Sequence, residues 1–440
     1  MALAAAGGGE PRPRRRWALA AGGALVLAVA ALGWPWVRAG HYLTAARQFL
    51  EQGDPAAALD PLQHAEEIQP NRAEVQYLLA VARRRTGQLD RFQAHLARAR
   101  ELGWSPKDLE RQEWLAVAQS GGVATVQGRL MELIERGVAD DLAEEIYEAV
   151  ARGHLAACRL RDAWLCLDMW LRWRPDAPQA RLMRAALHEE MGEIDPAVAD
   201  YRTAIEGLPG HGGARLRLGE LLVSQDRIGE AREQFLACLA VNPADADALL
   251  GAARCARASK EDREAHRLLE EALQGDLPAR RRAQVLAELG GLLLDENKVP
   301  ESIEALTQAV ALAPAEGPIH HKLSLALFRA GQAERGESHD RRAQQIRREQ
   351  ERLITIRRLV LDKPRDAGLR CEAAAILIGE GFMDDGLGWL LSALECDPRH
   401  RKTHELLADC YAQAGNPQLA ARHRLLAAPT PAPALPAKPK

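Results

Sequence analysis

No stretch of this chain alternates apolar and polar residues with the period of two that a half-buried strand requires, which excludes a sheet protein. Phe, Trp and Tyr make up only 4% of the 440 residues, although 47% are hydrophobic. So few large side chains argue against one thick core and for a thin, continuous one running along a stack. Asparagine occurs only at Asn71, Asn242, Asn297 and Asn416, and lysine only eight times against fifty arginines. The arginine excess reads as a coding bias, and a net charge of −3 argues against a general nucleic-acid binder.

Motifs that carry chemistry are equally scarce. There is no Gly-rich phosphate loop, no nucleophile elbow, no Cys-x-x-Cys and no histidine-paired acid in a supporting motif, so we expect neither an enzyme nor a cofactor. The seven cysteines are an odd, scattered set, which reads as small core residues and not as a disulfide framework. Cys396, His400, His404 and Cys410 form the one metal-like cluster. Pro398 separates the first from the helix that follows, and His404 and Cys410 fall on opposite sides of that helix, so we expect no metal. His320 and His321 would point about 100° apart on a helix, which excludes a shared ligand role. Asp140 with Asp141, and Asp384 with Asp385, read as solvated acids in turns between helices. The triplets Arg83, Arg84, Arg85 and Arg280, Arg281, Arg282 read as solvated helix faces, able to touch anionic lipid only if this part of the chain faced the cytoplasm.

What the chain does have is a period. Prolines recur at Pro70, Pro175, Pro209, Pro243, Pro314 and Pro398, and the steps from Pro175 to Pro209 to Pro243 are 34 residues each. With that proline at position 32, the unit from Gly212 to Asp245 places Leu218, Gly219, Leu222, Ala231, Phe235 and Cys238 at positions 7, 8, 11, 20, 24 and 27. The unit from Pro178 to His211 places Gly192, Ala197, Tyr201 and Ala204 at positions 15, 20, 24 and 27. Small residues at 8, 20 and 27 let two helices approach, and the large ones at 7, 11 and 24 fill the remaining space. Glycine at 15 ends the first helix in a left-handed turn.

This pattern resembles the tetratricopeptide repeat. The same frame starts units near Ala39, Ala73, Lys107, Glu144, Pro178, Gly212, Ala246, Ala283, Gly317, Ala367 and Arg401. The third, seventh and ninth are degenerate, and Arg280, Arg281 and Arg282 read as a short insertion before the eighth. The resemblance implies an all-α fold, a right-handed solenoid of helix hairpins, with an array over 39–350 and two further units over 367–428.

The ends differ. Residues 17–37 carry no charge, long enough at about 1.5 Å per residue to span a bilayer core, with Trp17, Trp34 and Trp36 placed as interfacial anchors. Arg12, Arg14, Arg15 and Arg16 in the basic segment 1–16 would hold the N-terminus in the cytoplasm and send the repeats across the membrane. A signal peptide cleaved around Val37, Arg38 and Ala39, leaving a secreted protein, is the alternative. Residues 429–440 form a Pro/Ala-rich tail that reads as disordered. A long charged helix is expected over 333–363, with Ile346, Leu353, Ile356 and Val360 in one apolar stripe; it reads as a spacer between the ninth and tenth units or, alternatively, as a coiled-coil seam with a second copy.

In the family that this pattern resembles, ligands lie along a concave face lined by the first helix of each pair. Carried over, that face holds Arg47, Tyr77, Arg84, Arg85, Glu145, Glu148, Arg152, Glu189, Glu190, Arg254 and Arg257. The family's clamp for a C-terminal carboxylate uses asparagines in those helices, and the asparagines here all lie outside them. Recognition of chaperone tails is therefore not expected. The resemblance implies protein or peptide partners, and the repeats together with the segment 17–37 point to a membrane-tethered bacterial scaffold of the inner membrane, in cell-envelope assembly. The alternative is a noncatalytic accessory subunit of an envelope polysaccharide or cytochrome-maturation complex.

Overall fold

The computed structural model describes residues 36–428, and every regular element among them is helical. The predicted membrane span and the tail lie outside the described residues, apart from Trp36 and Val37, which are exposed at the start of the first described helix. Among the described residues no helix is long and apolar enough to cross a membrane.

The chain divides into two compact bodies between Ala116 and Val117. The first contains α1 (36–51), α2 (Leu59–Ile68), α3 (Ala73–Arg85), α4 (Leu89–Glu101) and α5 (Pro106–Val117), the last ending at the boundary. Leu43, Leu62 and Leu79 form one buried cluster there, and Phe92, Leu96 and Leu109 another. The triplet on α3 corrects the sequence reading: Arg83, Arg84 and Arg85 are only 6%, 1% and 8% exposed. Arg84 Nε donates to Gln112 Oε1 at 2.8 Å and Arg85 Nη1 to the Leu50 carbonyl at 3.0 Å, so protein acceptors replace water around both guanidinium groups.

The second body begins with a π-turn, Ala118–Gly122, and α6 (Val123–Glu135). Helix pairs follow in order: α7 (Asp140–Ala156) with α8 (Leu160–Trp173), α9 (Pro178–Glu190) with α10 (Ile194–Gly207), α11 (Gly212–Ser224) with α12 (Ile228–Val241), and α13 (Ala246–Ala258) with α14 (Asp262–Gln274). Then come α15 (Ala279–Asp295) with α16 (Val299–Leu312), α17 (Gly317–Arg329) with α18 (Ala333–Asp362), α19 (Ala367–Gly379) with α20 (Met383–Cys396), and α21 (Arg401–Gln413) with α22 (Pro417–Ala427). The basic triplet at 280–282 is not an insertion; it lies in the first turn of α15. Asp140 with Asp141, and Asp384 with Asp385, likewise occupy first turns, of α7 and α20, where the helix dipole favours acids.

Two positions show how the sequence sets the repeat. Position 15 has a left-handed backbone in all eleven units: glycine supplies it at Gly53, Gly87, Gly121, Gly192, Gly331, Gly381 and Gly415, while Cys158, Asp226, Lys260 and Asn297 adopt it despite a Cβ. Position 4 ties the turn before a unit to the helix that follows. The carbonyls of Pro70, Pro175, Pro209, Pro314, Pro364 and Pro398 lie in turns outside the helices. Each accepts a hydrogen bond from the side chain six residues later: Gln76, Arg181, Arg215, His320, Arg370 or His404. Most of these side chains then engage position 23 of the partner helix, as Arg181 does Asp200 at 2.8 Å and Arg215 does Gln234 at 2.9 Å.

Packing follows from residue size. Phe235 is 1% exposed, and a Cβ added at Gly219 or Gly251 would stand 2.6 or 2.3 Å from its ring. Only glycine on α11 and α13 lets that ring fit between them.

The second body also closes on itself, which the repeat pattern does not announce. Leu353, Ile356 and Val360 of α18, with Leu377, Trp389 and Leu390 of α19 and α20, share one buried cluster with Leu160, Leu167 and Trp170 of α8. Arg370, 2% exposed, donates Nη1 to the Cys158 carbonyl at 2.7 Å and to Ser392 Oγ at 2.5 Å. Arg358 Nε reaches the Met191 carbonyl at 2.6 Å, and Arg159 pairs with Glu395 at 2.7 Å. This corrects the reading of α18. It is the second helix of the ninth unit, extended, and its apolar stripe is buried within the chain, where it is not available as a seam for a second copy.

Candidate functional site

The closure leaves space on the inner side of the first helices of each pair. Residues three and four apart on α9 share a face, and Gln179, Leu182, Met183, Ala186 and Glu190 point together into a cavity of ≈ 730 Å³. Leu216, Arg217 and Glu220 of α11 continue the wall, with Arg152 and Leu155 of α7 on one side and Asp247 and Arg281 on the other. Its floor is apolar, from Leu155, Leu182, Met183, Ala186 and Leu216. Its rim is charged and internally paired: Arg152 with Glu148 at 2.9 Å, Arg217 with Glu189 and Glu220, and Arg281 with Asp247.

A second cavity of ≈ 680 Å³ adjoins it and shares Ala186, Glu190, Tyr201 and Arg217 in its lining. The far wall belongs to the returning arm: Gln350, Leu353, Ile354 and Arg357 of α18, Leu377 of α19, then Glu380, Phe382 and Asp385. Arg280 lies over the Phe382 ring at 4.8 Å. Tyr201 donates to Glu189 Oε2 at 3.3 Å, and burial pushes its phenol up to about 12, so it stays a donor throughout the physiological range. Burial also raises the Glu380 carboxyl above the ordinary range, with the charges of Glu349 and Glu316 adding to the effect and those of Arg280 and Arg357 opposing it.

Of the residues anticipated from sequence, Arg152 and Glu190 line the first cavity, and Glu189 and Glu190 the second. Glu148 is buried beneath Arg152, and Glu145 is half-buried one turn earlier. Arg254 and Arg257 lie elsewhere on the face. Both pair with Glu288 of α15, at 2.8 and 3.3 Å, Lys322 of α17 joins at 2.7 Å, and Arg257 also holds Asp295 at 2.8 Å. Burial opposes ionisation of Glu288, but Lys322 and Arg254 outweigh it and hold the carboxyl down at about 2. In the first body Arg47 pairs with Glu74, Tyr77 stacks on Trp104 at 4.8 Å, and Arg84 and Arg85 are buried as described. Arg47, Glu189, Arg254 and Arg257 thus pair with residues of the next unit, while Arg152 and Glu148 pair within one helix.

The apolar floor was the part that sequence reading passed over. Leu182 and Leu216 both occupy position 5, one of the positions already assigned to the concave face, so the register itself carried the signal.

The metal-like cluster does not converge. Cys396 Sγ faces the Pro364 carbonyl, His400 pairs with Thr403 at 2.7 Å, and His404 lies between the Pro398 carbonyl and His423. Among the described residues no three such ligands gather anywhere. All seven cysteines are free thiols, six of them buried.

A tetratricopeptide repeat family model matches residues 216–278, from α11 through α14. That segment is built of tetratricopeptide repeats, and the helix pairs on both sides continue its register. No curated protein matches the chain. Among solved structures, a tetratricopeptide repeat protein from Parabacteroides merdae ATCC 43184 is 15% identical, covering 73% of this chain and 98% of its own, with a TM-score of 0.38. Human IFIT1, solved as a dimer with PPP-AAAA, is 17% identical over 81% of this chain and 90% of its own, at 0.39. Pseudomonas aeruginosa pilF is 18% identical over 49% of this chain and 89% of its own, at 0.28. TM-scores this low carry nothing over to the site.

Proposed function

We propose that the protein is a noncatalytic, membrane-tethered scaffold that receives an extended segment of a partner protein along the two joined cavities of residues 117–428, in cell-envelope assembly. The single observation that carries this reading is the lining: an apolar floor of Leu182, Met183 and Leu216 beside a rim whose charges already pair with one another. Such a surface desolvates cheaply and takes large side chains, as peptide grooves do. The tether rests on the uncharged segment 17–37 and the arginines before it, whose excess of positive charge favours repeats on the outer side of the membrane.

Photo-crosslinking amino acids installed in cells at Met183 and Leu216 test the groove, with Val241, 82% exposed on α12, as the control. The expected result is a discrete protein adduct from the two groove positions and none from Val241. Equal labelling at all three, or none in the groove, contradicts the reading. Protease added to spheroplasts should digest the repeats, and full protection would reverse the orientation.

A further inference from the structure

We propose that the second cavity is a receptor for a basic side chain, so that the segment bound in the groove carries a lysine or arginine beside large apolar residues. This rests on the groove reading above and adds the chemistry of the occupant.

Each cation that lines this cavity stands beside a carboxylate of its own. Arg217 pairs with Glu189 and, at 2.6 Å, with Glu220; Arg280 pairs with Glu316 at 2.5 Å while lying over Phe382. Arg357 donates Nη1 to the Glu190 carbonyl at 3.4 Å, and its Nε stands 3.6 Å from the carboxylate of that same residue, too far for a hydrogen bond. Glu220 and Glu316 lie outside the lining, so part of the positive charge is spent beyond the cavity. Within it, Glu380 is left with an enclosed Oε1 that has no hydrogen-bond partner, and Asp385 lines the same space. An enclosed carboxylate oxygen without a donor is costly unless a cation or donor arrives.

The walls suit the rest of a long basic side chain. Leu353, Ile354 and Leu377 offer apolar surface to the methylene stem, and Glu380 and Asp385 meet the charged head. The elevated Glu380 carboxyl fits this: burial and the charges of Glu349 and Glu316 hold it up against the pull of Arg280 and Arg357, and a further cation at Oε1 would bring it down. The adjoining apolar floor fixes where the neighbouring large residues of the segment go.

The test is a positional-scanning peptide library offered to the purified full chain and to a Glu380→Gln variant, which keeps the side-chain shape. We expect selection of large apolar residues together with lysine or arginine at one fixed spacing. In Glu380→Gln the basic preference should fall at least about tenfold while the apolar preference stays, as loss of a charge-assisted contact requires. Apolar selection without a basic preference overturns the receptor and leaves the groove standing. A basic preference unchanged in Glu380→Gln overturns the assignment of the receptor to this cavity. No selection of any peptide overturns the groove reading itself.

Discussion

Two halves of one concave face use the same repeat positions for opposite ends. On α9 and α11, positions 5, 6 and 9 hold Leu182, Met183, Ala186, Leu216, Arg217 and Glu220, which border open cavities. On α13, α15 and α17, positions 6 and 9 include Arg254, Glu288 and Lys322, which close on one another across three successive units. The first half presents a surface; the second fastens the stack. A concave position in a repeat is therefore not a binding residue until its neighbours one unit away are known.

The contrast can be broken most forcefully at Glu288. Glu288→Gln leaves Arg254, Arg257 and Lys322 gathered around a neutral group, and should lower stability by about 3 to 5 kcal/mol in chemical denaturation. Met183→Gln, on the presenting half, should cost about 1 kcal/mol or less. Similar losses at both sites would erase the distinction. The register common to both halves is tested by Gly219→Leu, which drives a side chain into the Phe235 ring and should cost about 1 to 3 kcal/mol. Unchanged melting would mean that the two helices are not packed as described.

Acid should act on the paired histidines of the ninth and eleventh units. His320 Nε2 donates to the Pro314 carbonyl at 3.0 Å, so its Nδ1 is bare and accepts from His339 Nδ1 at 2.9 Å; His404 and His423 repeat the arrangement at 2.8 Å. Protonation of the bare His320 Nδ1 would set two N–H groups against each other. Burial lowers His320, His339 and His423 below 6.5, against the opposing bond from His320 to the Pro314 carbonyl; the partner ring lowers His339 and His423 further, with Arg342, Arg335 and Arg422 adding to the effect. A depressed histidine leaves stability full above the unfolded value of about 6.5 and drains it as pH falls toward the folded value. Melting temperature should thus fall from pH 7.5 to 5.5. The double variant His320→Gln, His404→Gln, which copies the Gln76 and His95 pair of the second unit, should flatten that fall. An unaltered slope would place the acid sensitivity elsewhere.

The smallest effect is expected at Lys260, whose left-handed backbone carries a Cβ. Lys260→Gly should stabilise by about 0.5 to 1 kcal/mol, the strain relieved less the entropy that glycine adds. Destabilisation would show that the lysine side chain contributes more than its backbone costs.

Much of this was legible because each cause is local and recurs. Gly219, Ala231 and Phe235 announce a close helix pair by size alone, and the proline at position 32 fixes the frame. The same frame located Glu189 and Glu190, which border the cavities. What stayed hidden depends on partners far away in sequence. Arg84 and Arg85 look like a solvated triplet until Gln112 and the Leu50 carbonyl are beside them. Arg370 occupies the same position 4 as Arg181, and nothing local says that it also reaches the Cys158 carbonyl, 212 residues away. The stripe on α18 was visible, but a helical period shows that a face is apolar without showing what covers it.

The closure is the central claim, since without it the second cavity has no far wall. A Cβ placed at Gly388 would lie 3.6 Å from the Sγ of Cys158, joining α20 to the turn between α7 and α8. Burial pushes the Cys158 thiol up to about 12, so oxidation of a Gly388→Cys variant is best carried out at mildly alkaline pH, where more thiolate forms. Peptide mass spectrometry of the oxidised monomer should find a bridge between positions 158 and 388. A new thiol that stays free, or bridges to any other cysteine, would contradict the closure.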